Sequence, residues 1–262
     1  MKMKSSIIDL AFLSEKRTNV LLLLMEGPKS SDEIKTALNV SSTSIMPQIK
    51  KLKEGRLIIQ EEEVYRLTDM GEIVVEKMEP LLNTLRVFEE NYDYWVGHDL
   101  DAIPDYLINR IEELGNYFLL EPDLNRLFEV PEDFRENILN SKRILTFFSY
   151  FHPLYFTLYS EIAGKNAEME LILTERVLKR IEADYRIQLE KLYKAKQVKV
   201  YISDENITLT NVVTDRFCSL VLFDKKGKFD PQYIMSFDES ALKWCEDLFL
   251  HYKKRAKPLK KN

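Results

Sequence analysis

Apolar positions along the chain follow first a helical period, then a heptad-like one, and finally short runs between helical stretches. In residues 40–54, Ile45, Ile49 and Leu52 stand at i, i+4 and i+7 and share one helix face. Ser44, Gln48 and Lys51 form an outward row, with Met46, Lys50 and Lys53 beside it. Ahead of this stretch, residues 5–13 read as a short amphipathic helix. Residues 14–25 read as a second one, with Ser14 at its cap, Arg17 beside that cap, and Val20, Leu21, Leu23 and Leu24 turned inward. Gly27-Pro28 stops that helix. A third starts at Ser31 with Ser30 or Ser31 as cap, Asp32 and Glu33 in the positive first turn, and Ile34, Ala37 and Leu38 inward. The turn at Asn39-Val40-Ser41 leads into the fourth. A proline is cheap only in the first turn of a helix, so Pro47 places the cap of this one at Thr43 or Ser44, and Gly55 is expected as its C′ terminator. Residues 57–60 and 64–67, joined by three glutamates, predict a hairpin.

From residue 72 to 95, Val74, Met78, Leu81, Leu85, Phe88, Tyr92 and Trp95 alternate steps of four and three, a seam through three heptads. Such a seam pairs with its counterpart in a second subunit or packs on its own chain, with a kink at Pro80. We expect the dimer, because soluble oligomers are most often twofold. Beyond a linker at residues 97–101, residues 104–114 predict a helix, 116–120 a strand, and 123–128 and 131–139 short helices. Strands at 144–149, 169–173 and 198–202 then alternate with a helix from Pro153 and a long one through Leu178, Ile181, Tyr185, Leu189 and Leu192. That order implies a largely parallel sheet. Runs at 207–209, 212–214 and 218–223 are closely spaced and read as antiparallel, and residues 240–255 close the chain as a helix. The fold class is therefore α+β. It comprises an N-terminal helical domain with a hairpin (residues 1–71), a linker or dimerisation helix (72–97), an α/β domain with a mixed sheet (98–256) and a basic tail (257–262).

Composition narrows the chemistry. Val20 to Met25 is the longest apolar run, far short of the roughly 20 residues a bilayer demands, and no signal-peptide core follows the N-terminal lysines. A cytoplasmic protein without membrane partners is expected. Two cysteines and three scattered histidines show no metal-ligand spacing, and no cofactor is expected. The net charge of −5 is unevenly spread. Residues 1–70 hold 11 Lys+Arg against 10 Asp+Glu, and the remainder holds 27 against 33. Since phosphate neutralisation needs a local basic face, the acidic remainder does not exclude double-stranded DNA.

Three helices and a hairpin in this order resemble a winged helix-turn-helix domain, carried by NVSSTSIMPQIKKLKEGRLI and YRLTDMG. The resemblance implies that residues 40–54 form the recognition helix. Ser42, Thr43, Ser44, Met46, Gln48, Lys50, Lys51, Lys53 and Arg56 are the candidate DNA contacts, with Arg66 as an addition. The acidic wing tip is unsuited to phosphate. It also favours the alternative of a winged helix that binds another protein. FFSYFHPLY, LILTERVLKRI, VYISDE, VVTDRFCSLVLF and SFDESALKWCEDLF resemble the effector domain of the archaeal methanogenesis regulatory protein family, which implies a transcriptional regulator. The outline is also similar to the phospholipase-D-like fold, but no histidine here has the lysine and downstream acid of that catalytic motif, so no enzyme is expected. Ligands of a parallel sheet bind beyond the carboxyl ends of its strands. There we place a small-molecule effector against Tyr150, His152, Thr174, Glu175, Arg176, Asp215 and Arg216. A structural Asp215–Arg216 ion pair and a helix-shaping His152 are the alternatives. The tail at residues 253–261 is basic and is read as a frayed terminus, with a DNA contact as the alternative.

Overall fold

The computed structural model describes residues 6–122, 129–165 and 167–259. The chain separates between Asn83 and Thr84 into two compact units. The helix expected over residues 123–128 lies outside the described residues, as do residues 260–262.

In the first unit, α1 (Ile7–Phe12) and α2 (Glu15–Met25) are followed by β1 (Lys29–Ser30), α3 (Ser31–Leu38), α4 (Ser42–Glu54), β2 (Ile58–Glu61) and β3 (Val64–Leu67). Ser30 and Glu33 form the capping box of α3. The Ser30 hydroxyl accepts from the Glu33 N–H at 3.3 Å, and the Glu33 carboxylate accepts from the Ser30 N–H at 2.7 Å. Asn39 then turns the chain in the left-handed region at φ 49°. Ile45, Ile49 and Leu52 are buried against Val20, Leu21 and Leu24 in one core, each contributing about 1.5–3 kcal/mol by leaving water. The hairpin is extended by a strand not anticipated from sequence, because β1 pairs with β3 (Lys29↔Tyr65) to give the order β1-β3-β2.

Both ends of α4 differ from expectation. The Ser41 carbonyl accepts from the N–H groups of Ser44 and Ile45, so the helix begins at Ser42 and Pro47 falls in its second turn. The missing N–H would have met the Thr43 carbonyl. Thr43 and Pro47 are both exposed, so that carbonyl is open to solvent. At the other end Gly55 is right-handed and Arg56 takes the left-handed position at φ 58°. The Leu57 and Arg56 N–H groups close onto the Leu52 and Lys53 carbonyls at 3.1 and 2.9 Å. Gly55 is required for another reason: a Cβ there would strike the Leu10 side chain.

The expected seam is divided. In α5 (Asp69–Glu90), Val75 and Met78 join the first unit's core, whereas Val87 and Phe88 join the second's. Asn91 leaves helical geometry at φ −140°, and a separate α6 (Tyr92–Gly97) follows. Trp95 is buried in its own unit, donating from Nε1 to the Tyr117 hydroxyl at 2.9 Å, which itself donates to the Val87 carbonyl at 2.6 Å. Leu81, Leu85 and Tyr92 stay exposed.

The second unit continues with α7 (Asp105–Ile108), β4 (Tyr117–Leu120), α8 (Glu132–Leu139), β5 (Arg143–Phe148), α9 (Pro153–Ile162), β6 (Glu168–Thr174), α10 (Glu175–Asp184), α11 (Arg186–Lys194), β7 (Val198–Ser203), β8 (Leu209–Thr214), β9 (Cys218–Leu222), β10 (Tyr233–Ser236), α12 (Glu239–Lys253) and β11 (Lys257–Pro258). Its sheet runs β11-β7-β6-β5-β8-β9-β10-β4, with β5, β6 and β7 parallel and every other pairing antiparallel. Alternation divides the side chains between two cores: Leu145 and Phe147 join the α12 side, whereas Ile144 and Phe148 join helices α8 to α11.

Several expected elements are altered here. The helix over residues 104–114 is one short helix and a separate 3-10 turn (Ile111–Leu114), ended by Gly115 at φ 58°. The long helix breaks at Tyr185, whose ring packs 4.8 Å from that of Phe151. The runs at 207–209 and 212–214 give one strand, β8. Lys257 and Pro258 are not frayed: they pair with Ile202 and Tyr201 on β7.

Candidate nucleic-acid interface and effector cavity

Opposite its buried row, α4 presents Ser42, Thr43, Met46, Lys50, Lys51 and Lys53, all exposed, with Ser44 half-buried at the side and exposed Arg56 just beyond the helix. No side chain caps its first turn. The Ser41 hydroxyl instead meets that of Thr43 at 3.0 Å, which leaves backbone N–H groups at the positive end of the helix for an anion.

Beside Thr43, and Ser44 whose hydroxyl donates to the Ser41 carbonyl at 3.1 Å, three longer candidate contacts are already engaged. The Gln48 carbonyl oxygen accepts from Nη1 of buried Arg17 at 2.9 Å, and only its amide NH₂ remains for a base. Lys53 donates to Oε1 of Gln60 at 2.7 Å and lies over the Tyr65 ring. Arg66 grips Glu61 through Nε and Nη2 at 2.7 and 2.5 Å, which holds the Glu61 carboxyl below its usual pKa; it is a wing strut. Lys50 and Lys51 make no ion pair among the described residues. The wing turn carries exposed Glu62 and Glu63.

Sequence reasoning missed Arg17 as a structural residue. Its three side-chain bonds, to the Asp9 and Leu10 carbonyls and to Gln48, join α1 and α2 to α4. The signal was present: Arg17 stands at i−3 and i−7 from Val20 and Leu24, in the buried row of α2.

The seven residues proposed for the effector do not form one site. Thr174, Glu175 and Arg176 lie with Ser149 and Ser203 at the carboxyl ends of β5, β6 and β7, around an open polar cleft of about 510 Å³. Tyr150 and His152 line a separate aromatic cavity of about 80 Å³ under α8 and α9. Asp215 and Arg216 are at the far end. β8 runs antiparallel to β5, with Thr214 opposite Ile144, so the residues after β8 sit where the parallel strands begin. Nor do they pair with each other as the alternative reading had it. The Asp215 carboxylate accepts from the Lys142 and Arg143 N–H groups at 2.8 and 3.2 Å, and Arg216 is exposed.

Sequence reasoning also missed Tyr159 and Tyr233, which share the aromatic cavity with Tyr150 and Tyr155. Tyr155 and Tyr159 stand at i and i+4 on α9, a spacing that puts both polar tips on one side. Burial raises the pKa of all four phenols, that of Tyr233 to about 12.

Two family models match the chain, the N-terminal domain of methanogenesis regulatory protein FilR1 over residues 6–86 and its middle domain over residues 127–255. The chain belongs to the methanogenesis regulatory protein family. FilR1 of Methanothrix harundinacea is 25% identical over 251 residues, 94% of this chain and 56% of that protein. The HTH-type transcriptional activator ArnR of Sulfolobus acidocaldarius is 26% identical over 134 residues, 51% of this chain and 47% of that protein. The chain thus spans about half the length of the curated relatives it matches. Among solved structures, the archaeal chromatin protein TrmBL2 aligns over 96% of this chain and 97% of its own at a TM-score of 0.44 and 12% identity. NucT from Helicobacter pylori aligns over 55% and 98% at 0.39 and 10% identity. Scores below 0.5 place no constraint on function. No helix among the described residues is long and apolar enough to cross a membrane.

Proposed function

We propose that this family member is a cytoplasmic DNA-binding transcriptional regulator, with α4 in the major groove and a second unit that responds to a small molecule. The observation that supports this most is the exposed row of α4 backed by a rigid frame. Ile45, Ile49 and Leu52 anchor the helix in the core while Thr43, Met46, Lys50 and Lys51 stay free of it. Lys50, Lys51 and Arg56 reach phosphates, the uncapped first turn takes another, and Ser42, Thr43, Ser44, Met46 and the Gln48 amide face base edges. Two copies held through the exposed leucines of α5 would present their helices to half-sites about 34 Å apart.

Fluorescence anisotropy on DNA from the chain's own upstream region tests the assignment. Lys50→Ala with Lys51→Ala is expected to lower the slope of log affinity against log salt by about 2, one unit for each phosphate that is no longer neutralised. Arg66→Ala is expected to change that slope little, since Arg66 is committed to Glu61. An unchanged slope in the double variant would sink the α4 assignment.

The acidic turn at Glu62 and Glu63 favours a second reading, a winged helix that binds a basic protein surface. Retention of a protein partner by a column-bound chain, with no retention of DNA, would establish that reading instead.

A further inference from the structure

The aromatic cavity of the second unit is bounded below by side chains that four neighbouring strands turn to one face. Thr210 pairs across with Val221, and Val212 with Ser219. Phe148 of β5 and Tyr233 of β10 complete the floor, and Phe134, Tyr155 and Tyr159 form the roof. Phe134 meets the Tyr155 ring edge-on at 5.1 Å. At the mouth Phe229 is 40% exposed and lies 3.9 Å from the Tyr150 ring.

Three properties define what fits. Its size is the first: an engineered apolar cavity of about 150 Å³ accepts benzene, so a space of about 80 Å³ takes about half of one ring and leaves the rest in the mouth. The second is charge. Among the described residues the lining is built of aromatic rings, prolines, Val212, Val221 and hydroxyls; its one carboxylate, Glu129, is exposed at the rim, and its one imidazole, His152, is half-buried. Burying an ionised group against those walls would cost several kcal/mol. The third is polarity. Tyr150, Tyr155, Tyr159 and Tyr233 all line the space, and burial keeps their phenols protonated near neutral pH. Thr210 is already bonded to the Ser149 hydroxyl at 3.0 Å, which leaves the tyrosines and Ser219 to meet a ligand.

We propose that this cavity binds a small uncharged planar molecule, one ring with a hydrogen-bonding edge such as a phenol, held between Phe134, Phe148 and the four tyrosines. The assignment rests on reading the second unit as a sensing domain, and it names the class of effector. The open cleft at Thr174 and Arg176 is not the effector site in this scheme.

Calorimetric titration of the full chain with phenol tests it, with benzoate and tetramethylammonium as charged controls. Saturable one-to-one binding of phenol is expected, at least tenfold tighter than either control. Tyr155→Phe should weaken it several-fold, and Val212→Trp should fill the floor and abolish it. Should Val212→Trp fail to fold, NMR of the wild-type aromatic resonances decides: shifts confined to Tyr150, Tyr155, Tyr159 and Tyr233 support the cavity. No saturation by phenol, equal affinity for benzoate or tetramethylammonium, or shifts elsewhere would overturn it. Saturable binding that leaves DNA anisotropy unchanged would overturn the sensing role and leave the cavity intact.

Discussion

Arg17 donates from Nη1 to the side-chain oxygen of Gln48 at 2.9 Å, across 31 positions of sequence. This bond makes Gln48 a structural residue as well as a candidate reader of bases. Gln48→Ala is expected to cost about 1–3 kcal/mol in urea denaturation, because it leaves a buried guanidinium N–H without an acceptor. Gln48→Glu keeps the acceptor and should unfold close to wild type. Loss of DNA affinity in Gln48→Ala is therefore meaningful only beside that denaturation curve.

Arg56 holds a left-handed backbone that costs a residue with a Cβ about 1–2 kcal/mol, while glycine there would lose only some unfolded-state entropy in exchange. Arg56→Gly should raise the stability of the first unit by about 0.5–1 kcal/mol while weakening DNA binding. A variant that is more stable and binds worse would assign the arginine to phosphate contact. One that is more stable and binds equally well would leave it a surface residue.

Asp215 accepts two backbone N–H groups at the start of β5. Asp215→Ala should destabilise the second unit by about 1–3 kcal/mol by removing both acceptors, read by thermal unfolding. Phenol affinity at a temperature where the variant is folded should not change. A specific loss of affinity would return Asp215 to the ligand site.

The buried phenols set an alkaline limit. Tyr150, Tyr155, Tyr159 and Tyr233 have folded pKa values raised above the ordinary value of 10, so their contribution is fully present below pH 10. It falls as pH rises through the folded values, by about 1.4 kcal/mol per pH unit for each phenol held protonated. Absorbance near 295 nm should show them ionising only as the second unit unfolds, and Tyr233→Phe should move that transition to higher pH.

The first unit was legible in sequence because its information is local. A capping box at Ser30 and Glu33 and the row of Ile45, Ile49 and Leu52 are each complete within a few residues. What escaped depends on distant partners. Pro47 suggested a later start to α4, but the Ser41 carbonyl fixed an earlier one. Trp95 satisfied a heptad pattern, but its indole found Tyr117. In the second unit most strands and their directions were visible, parallel for β5 to β7 and antiparallel for β8 and β9, but which ends of them lie together was not. One antiparallel pairing, β8 on β5, carried Asp215 and Arg216 to the wrong end of the sheet, and β10, buried along its whole length, carried no alternation that a reader could use.

The pairing of Lys257 and Pro258 with β7 bears on how the chain can be cut. The family match to the second unit stops at Arg255, before this two-residue strand. Among the described residues, a fragment ending there keeps the helices and loses the strand that covers the outer edge of β7, together with the bond from the Leu259 N–H to the Val200 carbonyl, and the unpaired N–H and C=O groups then form a template for another copy. Because Pro258 offers no N–H of its own, β11 ends the sheet as well as extending it. Lys257 and Pro258 act as a selvedge, and a fragment trimmed before them would join its neighbours edge to edge.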